Sequence, residues 1–249
     1  MISFFRKIRQ KLLSENRVTR YLIYAIGEIA LVMIGILLAL GVNNWNQDRI
    51  SRAREEIILQ GLYQEFEAAK VELQADLTAR ERYLSVSSAL QHNHLTGEPL
   101  NLPTDSIKPF ILGLISTRFY STGHPILDDL SSSGGLELIQ SDSVKLLLGE
   151  YIEEKNRYNA VEEREAKFTY EQLYPFLSNS INLTYVYNDM MMPDELDNSL
   201  ASMQSNNQYG SLIYFRMQRV STARAYGIRV EEAIGRVLSQ IESELDGKL

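Results

Sequence analysis

Residues 21–42 read YLIYAIGEIALVMIGILLALGV, a run of 22 residues with one charged side chain, Glu28. As a helix this run would be about 33 Å long, which matches the roughly 30 Å hydrocarbon core of a bilayer. Tyr21 at one end and Trp45 near the other are the residue types that anchor a helix at a membrane interface. The run therefore predicts one transmembrane helix, over residues 21–45.

A cleaved signal peptide is the alternative interpretation of the same run, since basic residues precede it and Ala39-Leu40-Gly41 loosely resembles a cleavage site. The apolar part of a signal peptide is usually only about 7–15 residues long. The longer run favours a retained anchor.

Charge divides the chain into a basic head and an acidic remainder. Residues 1–20 carry a net charge of +5, whereas the whole chain carries −7, so the remainder carries −12. An acidic body is not expected to bind nucleic acid, which needs Lys and Arg for phosphate contacts. We expect the head to bind anionic lipid, as an amphipathic helix in the membrane interface or as a disordered basic tail. The interfacial basic residues would be Arg6, Lys7, Arg9 and Lys11.

The distribution of Lys and Arg predicts the orientation of the anchor. Six basic residues precede the run, and three follow it closely, Arg49, Arg52 and Arg54. The positive-inside rule then leaves the N-terminus in the cytoplasm and puts residues 46–249 in the periplasm, with a cytoplasmic body as the alternative.

Four short strings near the N-terminus carry a resemblance to a known family. They are FFRKIR (4–9), YAIGEI (24–29), IGILLAL (34–40) and NNWN (43–46). Together they resemble the start of the uncharacterised domain-of-unknown-function family 6090 of Bacteroidota, and SGGLELI (133–139) is a weaker similarity further on. The resemblance is strong over about residues 1–60. It implies a single-pass inner-membrane protein without an established activity, and no catalytic residues can be carried over from it.

Helical periodicity dominates the rest of the chain. Apolar residues recur at steps of three, four or seven, which predicts long helices over 47–90, from a cap at Ser141 or Asp142 to near Pro175, and over 208–244. The first helix should end within 91–109, shorter helices are expected at 107–119 and near 125–130, and residues 178–207 are expected to form a loop or short irregular elements. No alternating strand pattern is apparent, so the fold class is all-α. We expect residues 46–249 to form an antiparallel helical bundle of three long and one or two short helices.

Several classes of chemistry find no support in the sequence. Without cysteine there is no disulfide, zinc-thiolate site or iron–sulfur cluster, and no phosphate-loop or dinucleotide fingerprint is present. His92 and His94 make a weak metal motif, and we expect them in a solvated loop. The acidic pairs at 128–129, 153–154 and 162–163 are expected to lie on solvated faces. Met190–Met192 is expected to fill the end of the bundle or to form a soft contact surface. We therefore predict no catalytic residues, no metal site and no cofactor.

Glu28 is the one site candidate. A carboxyl inside an apolar span is costly in lipid, so it should be protonated, paired or turned toward protein. Gly27 and Gly35 lie near its face and would let a second helix approach closely. The alternative is that Glu28 extends toward the cytoplasmic interface near Arg20.

These features predict a non-enzymatic, single-pass inner-membrane protein that presents a helical domain for assembly or protein contact. Its expected partners are the lipid bilayer and either a second copy of the chain or another membrane protein. Two alternatives remain open: an ion- or proton-coupled membrane component that uses Glu28, and a ligand-sensing bundle that signals through a partner.

Overall fold

A computed structural model describes residues 18–98, 104–187 and 205–245, together with 198, 202 and 203. The chain divides into two compact units, Met1–Glu55 and Glu56–Leu249. Helices account for nearly all of the described residues, and no strand occurs among them. The predicted all-α fold class is confirmed.

The helices follow in chain order. They are α1 (Val18–Thr96), α2 (Thr104–Ile115), α3 (Pro125–Ser133), α4 (Asp142–Phe168), α5 (Tyr174–Ser180), α6 (Leu183–Tyr187) and α7 (Asn207–Glu244). A 3₁₀ turn, Gly135–Leu138, follows α3, and a π-helical turn, Thr169–Leu173, joins α4 to α5.

Local chemistry explains where the long helices begin and end. The Ser141 hydroxyl accepts a hydrogen bond from the Val144 N–H and so caps α4, as predicted. Asn206 caps α7 in the same way. Gly134 ends α3 with a positive φ of 76°, a conformation that glycine adopts without strain.

Two of the sequence-based expectations about helix ends were wrong. The first helix continues to Thr96 rather than ending near residue 90, so His92 and His94 lie in a helix and not in a loop. The helix after Ser141 does not run as one α-helix to near Pro175, because α4 ends at Phe168. A π turn interrupts it at Thr169, and Pro175 then occupies the first turn of α5, where its missing N–H costs no hydrogen bond.

In the first unit, the side chains of residues 22–42 are almost all exposed, including Leu31 (74%), Leu38 (66%) and Val42 (66%). α1 is long and apolar enough near its N-terminus to cross a membrane by length and composition. Such a run of exposed apolar side chains is the expected appearance of a lipid-facing segment. It is also the expected appearance of a signal sequence, so by itself it is a weak indication of a membrane protein.

The second unit is a bundle of α1 from residue 56 onward, α4 and α7. Tyr63 contacts Glu242 and Gln74 contacts Glu231, so α7 runs antiparallel to α1, as expected. Contacts between α1 and α4 have residue numbers that increase together on both helices: Phe66 packs on the ring of Tyr151, and Asp76 accepts a hydrogen bond from Tyr158. The α1–α4 pair is therefore parallel, which corrects the all-antiparallel expectation: the segment between them crosses back over the bundle.

The apolar core of this unit forms two clusters. One includes Leu62, Phe66, Leu73, Tyr151 and Ile234, and the other is built around Leu90, Ile111, Leu173, Leu177 and Ile213. Along each of the three long helices, charged side chains lie between the two clusters.

Candidate functional site

The charged side chains between the apolar clusters form a buried ionic layer, composed of Asp76 and Arg80 of α1, Glu162 and Glu165 of α4, and Arg216 of α7. Each is at most 6% exposed. Charged residues are almost never buried to this extent unless they are paired. The layer is the most unusual chemical feature of the described chain.

Arg80 is the centre of the layer. Its Nε donates to Asp76 Oδ2 at 2.7 Å, its Nη2 donates to Glu162 Oε1 at 2.7 Å, and its Nη1 donates to Glu165. The Arg118 carbonyl accepts a further bond from Nη2 at 3.2 Å. Arg80 therefore links α1 to α4 through Glu162 and Glu165, and also binds Asp76 of its own helix, in the fork geometry that a planar guanidinium provides.

Arg216 brings α7 into the same layer. Its Nη1 donates to Glu165, and its Nη2 donates to the Ser116 carbonyl at 2.9 Å. Its guanidinium carbon lies 5.3 Å from the ring centroid of Tyr83. Glu165 thus joins two arginines from two helices.

The segment between α2 and α3 closes one side of the layer. The Tyr120 N–H donates to both carboxylate oxygens of Glu162, at 3.2 and 3.1 Å. Arg118 is 56% exposed, and its Nε donates to Asp76 Oδ1 at 2.9 Å. With Arg118 included, three arginines balance three carboxylates, so the layer is neutral when all are ionised.

Burial and pairing shift the pKa values of these groups in different directions. Burial raises the pKa of Glu162 to about 7, although Arg80 acts against it. For Asp76, burial is outweighed by Arg80 and by the hydrogen bonds from Arg80, Tyr158 and Arg118, so its pKa is lowered. The pKa of Arg80 is raised, because Glu165, Tyr158 and Asp76 outweigh its burial. Glu162 is therefore the member of the layer poised to take up a proton near neutral pH.

A second buried polar group lies in the larger apolar cluster. The His124 imidazole is fully buried, its Nε2 is hydrogen-bonded to the Tyr151 hydroxyl, and its Nδ1 has no partner within the described residues. Burial, helped by Lys155, lowers the pKa of His124 to about 4. The imidazole is neutral at pH 7 and packs as part of the core.

The acidic pairs singled out in the sequence do not all lie on solvated faces. Asp128, Asp129 and Glu153 are exposed, as expected, but Glu162 is 1% exposed and belongs to the ionic layer. The solvated-face expectation was wrong for Glu162 because its partner, Arg80, lies 82 residues away in sequence.

The two histidines of the weak metal motif are held by different neighbours. His92 Nε2 lies 3.3 Å from Glu98 Oε2 at the surface, whereas the half-buried ring of His94 packs on Tyr209. Within the described residues, no group of three or more His, Asp or Glu side chains is placed to hold a metal ion.

The predicted intramembrane and interfacial residues are only partly covered by the structure. Glu28 and Trp45 are exposed, and a Cβ built on Gly27 or Gly35 meets no atom within 4 Å. The backbone of Tyr21 is helical. The basic residues of the head and Met190–Met192 lie outside the described residues.

The ionic layer was missed from the sequence, although a signal for it exists. Asp76 and Arg80 follow Leu73 at steps of three and four, in the register of the buried face of α1. Arg216 likewise continues the spacing of Tyr209 and Ile213. When charged residues at the core-facing positions of a helix are assigned to the core in the same way as apolar ones, charges of opposite sign on three helices indicate a buried network.

Comparisons with protein-family models, with curated proteins and with solved structures find no match to this chain.

Proposed function

We propose that this chain is a non-enzymatic, single-pass membrane protein that presents its helical second unit for protein contact. The observation that carries the proposal is the exposed apolar stretch of residues 22–42, in the same helix whose later residues, from Leu59 onward, are packed into the bundle. Exposed apolar surface on this scale marks a contact with lipid or protein.

The ionic layer supports a structural role for the second unit. The carboxylates of Asp76, Glu162 and Glu165 all accept hydrogen bonds from arginine. Polar groups buried at one level of a bundle restrict how its helices slide past one another, in the way that a buried polar position fixes the register of a coiled coil. A bundle with a fixed register presents a constant surface to a partner.

We further propose an inner-membrane location, with the N-terminus in the cytoplasm, the second unit in the periplasm and the basic head on anionic lipid. The support is the excess of Lys and Arg before the apolar run. The resemblance to domain-of-unknown-function family 6090 supports the same location, and membership of that family is itself part of this proposal.

Membrane integration is tested by alkaline carbonate extraction of membranes from cells that express the full chain. We expect the wild type to stay in the membrane pellet and the double variant Leu31→Arg/Ile34→Arg to be released, since each arginine costs about 2.5–3.5 kcal/mol at the centre of a membrane helix. The matched control is Leu146→Arg, which changes a similarly exposed leucine of α4 (64%) outside the apolar run. Release of the wild type would overturn the proposal.

Orientation is tested with single cysteines, because the natural chain has none. A membrane-impermeant maleimide is applied to intact spheroplasts that carry Ser14→Cys or Ser221→Cys. Ser221 is exposed on α7, so its cysteine should react at once, whereas the cysteine at position 14 should react only after permeabilisation. The reverse pattern would place the second unit in the cytoplasm.

A further inference from the structure

A furrow lined by basic side chains runs between α4 and α7 on the surface of the second unit. Its volume is about 520 Å³, and its lining includes Arg164, Lys167, Phe168 and Arg219. This volume is within the range of ligand-binding clefts. The furrow lies outside the ionic layer and has no role in the anchoring proposed above.

The three cations of the furrow make no ion pair with any described carboxylate. The guanidinium carbon of Arg219 lies 4.4 Å from the ring centroid of Phe168, and its Nε is buried without a hydrogen-bond partner within the described residues. Arg164 uses its Nε on the Ala160 carbonyl at 3.0 Å, which leaves its terminal nitrogens available. Among the described residues of this lining, three are basic and one, Glu171, is acidic, so the furrow is positive in an acidic domain.

The backbone is irregular at this place. The π-helical turn Thr169–Leu173 supplies Glu171 and Gln172 to the lining. A π turn inserts one extra residue into a helix and is found frequently at functional sites. Here it coincides with the cationic furrow.

The furrow is longer than a small anion needs. A second hollow of about 400 Å³ adjoins it and shares Val161 and Arg164, so the depression extends along α4 from Glu153 to Phe168 and on to Gln172 of the π turn. An exposed aromatic side chain continues the same face: Phe215 (49%) lies one turn before Arg219 on α7. Aromatic residues and arginine are the types enriched where proteins bind proteins.

We infer that the furrow between α4 and α7 docks an acidic segment of a partner protein, with carboxylates on Arg164, Lys167 and Arg219 and an apolar side chain on Phe168. Arginine clusters recognise acidic motifs in this way, through charge-assisted and often bidentate hydrogen bonds. The inference rests on the proposed role in protein contact and names the chemistry of the partner.

The test measures the binding of a labelled short peptide of alternating glutamate and leucine to the full chain in nanodiscs, by fluorescence polarisation. A peptide of alternating lysine and leucine is the charge control. We expect only the acidic peptide to bind, and to bind more weakly as salt is raised. We expect Arg219→Ala to weaken binding about tenfold, the effect of losing one charge-assisted hydrogen bond.

Two further variants separate the furrow from general effects. Lys167→Glu reverses the charge of an exposed side chain of the furrow, and it should weaken binding at least as much. Arg82→Ala removes an equally cationic, exposed side chain of α1 and should leave binding unchanged. Circular dichroism melting confirms that each variant is folded.

Several outcomes would overturn the inference. The first is that the acidic and basic peptides bind equally well, and the second is that Arg82→Ala weakens binding as much as Arg219→Ala does. The third is that inorganic phosphate displaces the labelled peptide at the same concentration as the unlabelled peptide does. The fourth is that the chain self-associates and that Arg219→Ala abolishes this self-association. The third would indicate a small-anion site, and the fourth a second copy of this chain in the furrow. Failure of the anchoring proposal is distinguishable, because it appears as release from membranes and not as loss of peptide binding.

Discussion

Glu162 combines near-complete burial with a salt bridge to Arg80, and the two act on its pKa in opposite directions. Burial is the stronger effect and raises the pKa to about 7. The folded protein therefore binds this proton more tightly than the unfolded chain does. As a result, the contribution of Glu162 to the free energy of unfolding is highest below about pH 4.5 and falls as the pH rises through about 7.

The variant Glu162→Gln, which cannot ionise, isolates this effect. We expect the free energy of unfolding of the wild type, relative to that of the variant, to fall by about 2–3 kcal/mol as the pH rises from about 5 to about 8. Urea denaturation at the two pH values measures it. The control is Glu163→Gln, the exposed neighbour, whose difference from wild type should not change with pH.

The wild type must be compared with Glu162→Gln at each pH, because His124 changes the stability of the protein with pH in the opposite direction. Its pKa is lowered to about 4, so its contribution to stability is complete above pH 6.5 and is lost as the pH falls toward 4. The wild-type profile alone mixes the two residues. A Glu162→Gln profile parallel to that of wild type would contradict the assignment of a near-neutral pKa to Glu162.

At the scale of the helices, Arg80 is the residue whose loss should separate α1 from α4. Replacing it with methionine keeps the length of the side chain but leaves Asp76, Glu162 and Glu165 without their shared partner. Breaking a buried pair in this way typically costs about 3–5 kcal/mol. We expect this loss in urea denaturation of Arg80→Met, against less than about 0.5 kcal/mol for the exposed Arg82→Met. Equal losses would mean that the layer does not stabilise the bundle.

The crossing of α7 over α1 and α4 depends on a small residue. A Cβ added at Gly227 would lie 2.7 Å from Leu77 Cδ2 and 3.3 Å from the Tyr158 hydroxyl, and Tyr158 is hydrogen-bonded to Asp76. Gly227→Ala should therefore destabilise the protein by about 1–3 kcal/mol.

Gly235 provides the control on the same helix. A Cβ built there meets nothing within 4 Å, so Gly235→Ala should stabilise the protein by up to about 1 kcal/mol through helix propensity. Thermal or urea denaturation of both variants compares them directly. Effects of the same sign would contradict the close approach at Gly227.

Periodicity predicted the helices well but not how they meet. The predicted bounds of the last helix, 208–244, differ by one residue from Asn207–Glu244, because its apolar spacing is uninterrupted and Asn206 caps it. The parallel α1–α4 pair could not be predicted, because helical spacing locates each helix but carries no information on the direction in which the chain runs between two of them. The layer around Arg80 was missed for a related reason: Asp76 is local to it, but Glu162 and Glu165 lie on α4, 82 and 85 residues away, and the spacing within one helix does not report partners so distant in sequence.

At the scale of the whole molecule, the exposed carboxyl of Glu28 lies in an apolar run that we propose to be in lipid. At about 100° per residue, Gly35 lies about 20° from Glu28 around the helix, whereas Gly41 lies about 140° away. A face with a carboxyl and a small residue suits close contact with a second helix, because the contact shields the carboxyl and lets the backbones approach.

This geometry predicts that the chain self-associates through the face of Glu28 and Gly35. Light scattering of the full chain in detergent should give the mass of an oligomer, and Glu28→Gln and Gly35→Leu should each lower that mass. Gly41→Leu, on the opposite face of the same apolar run, should leave it unchanged. A wild type of monomeric mass would exclude self-association through this helix, and the contact that covers Glu28 would then have to come from a different membrane protein. Loss of the oligomer in Gly35→Leu but not in Glu28→Gln would assign the contact to backbone approach alone, with Glu28 extended toward the interface.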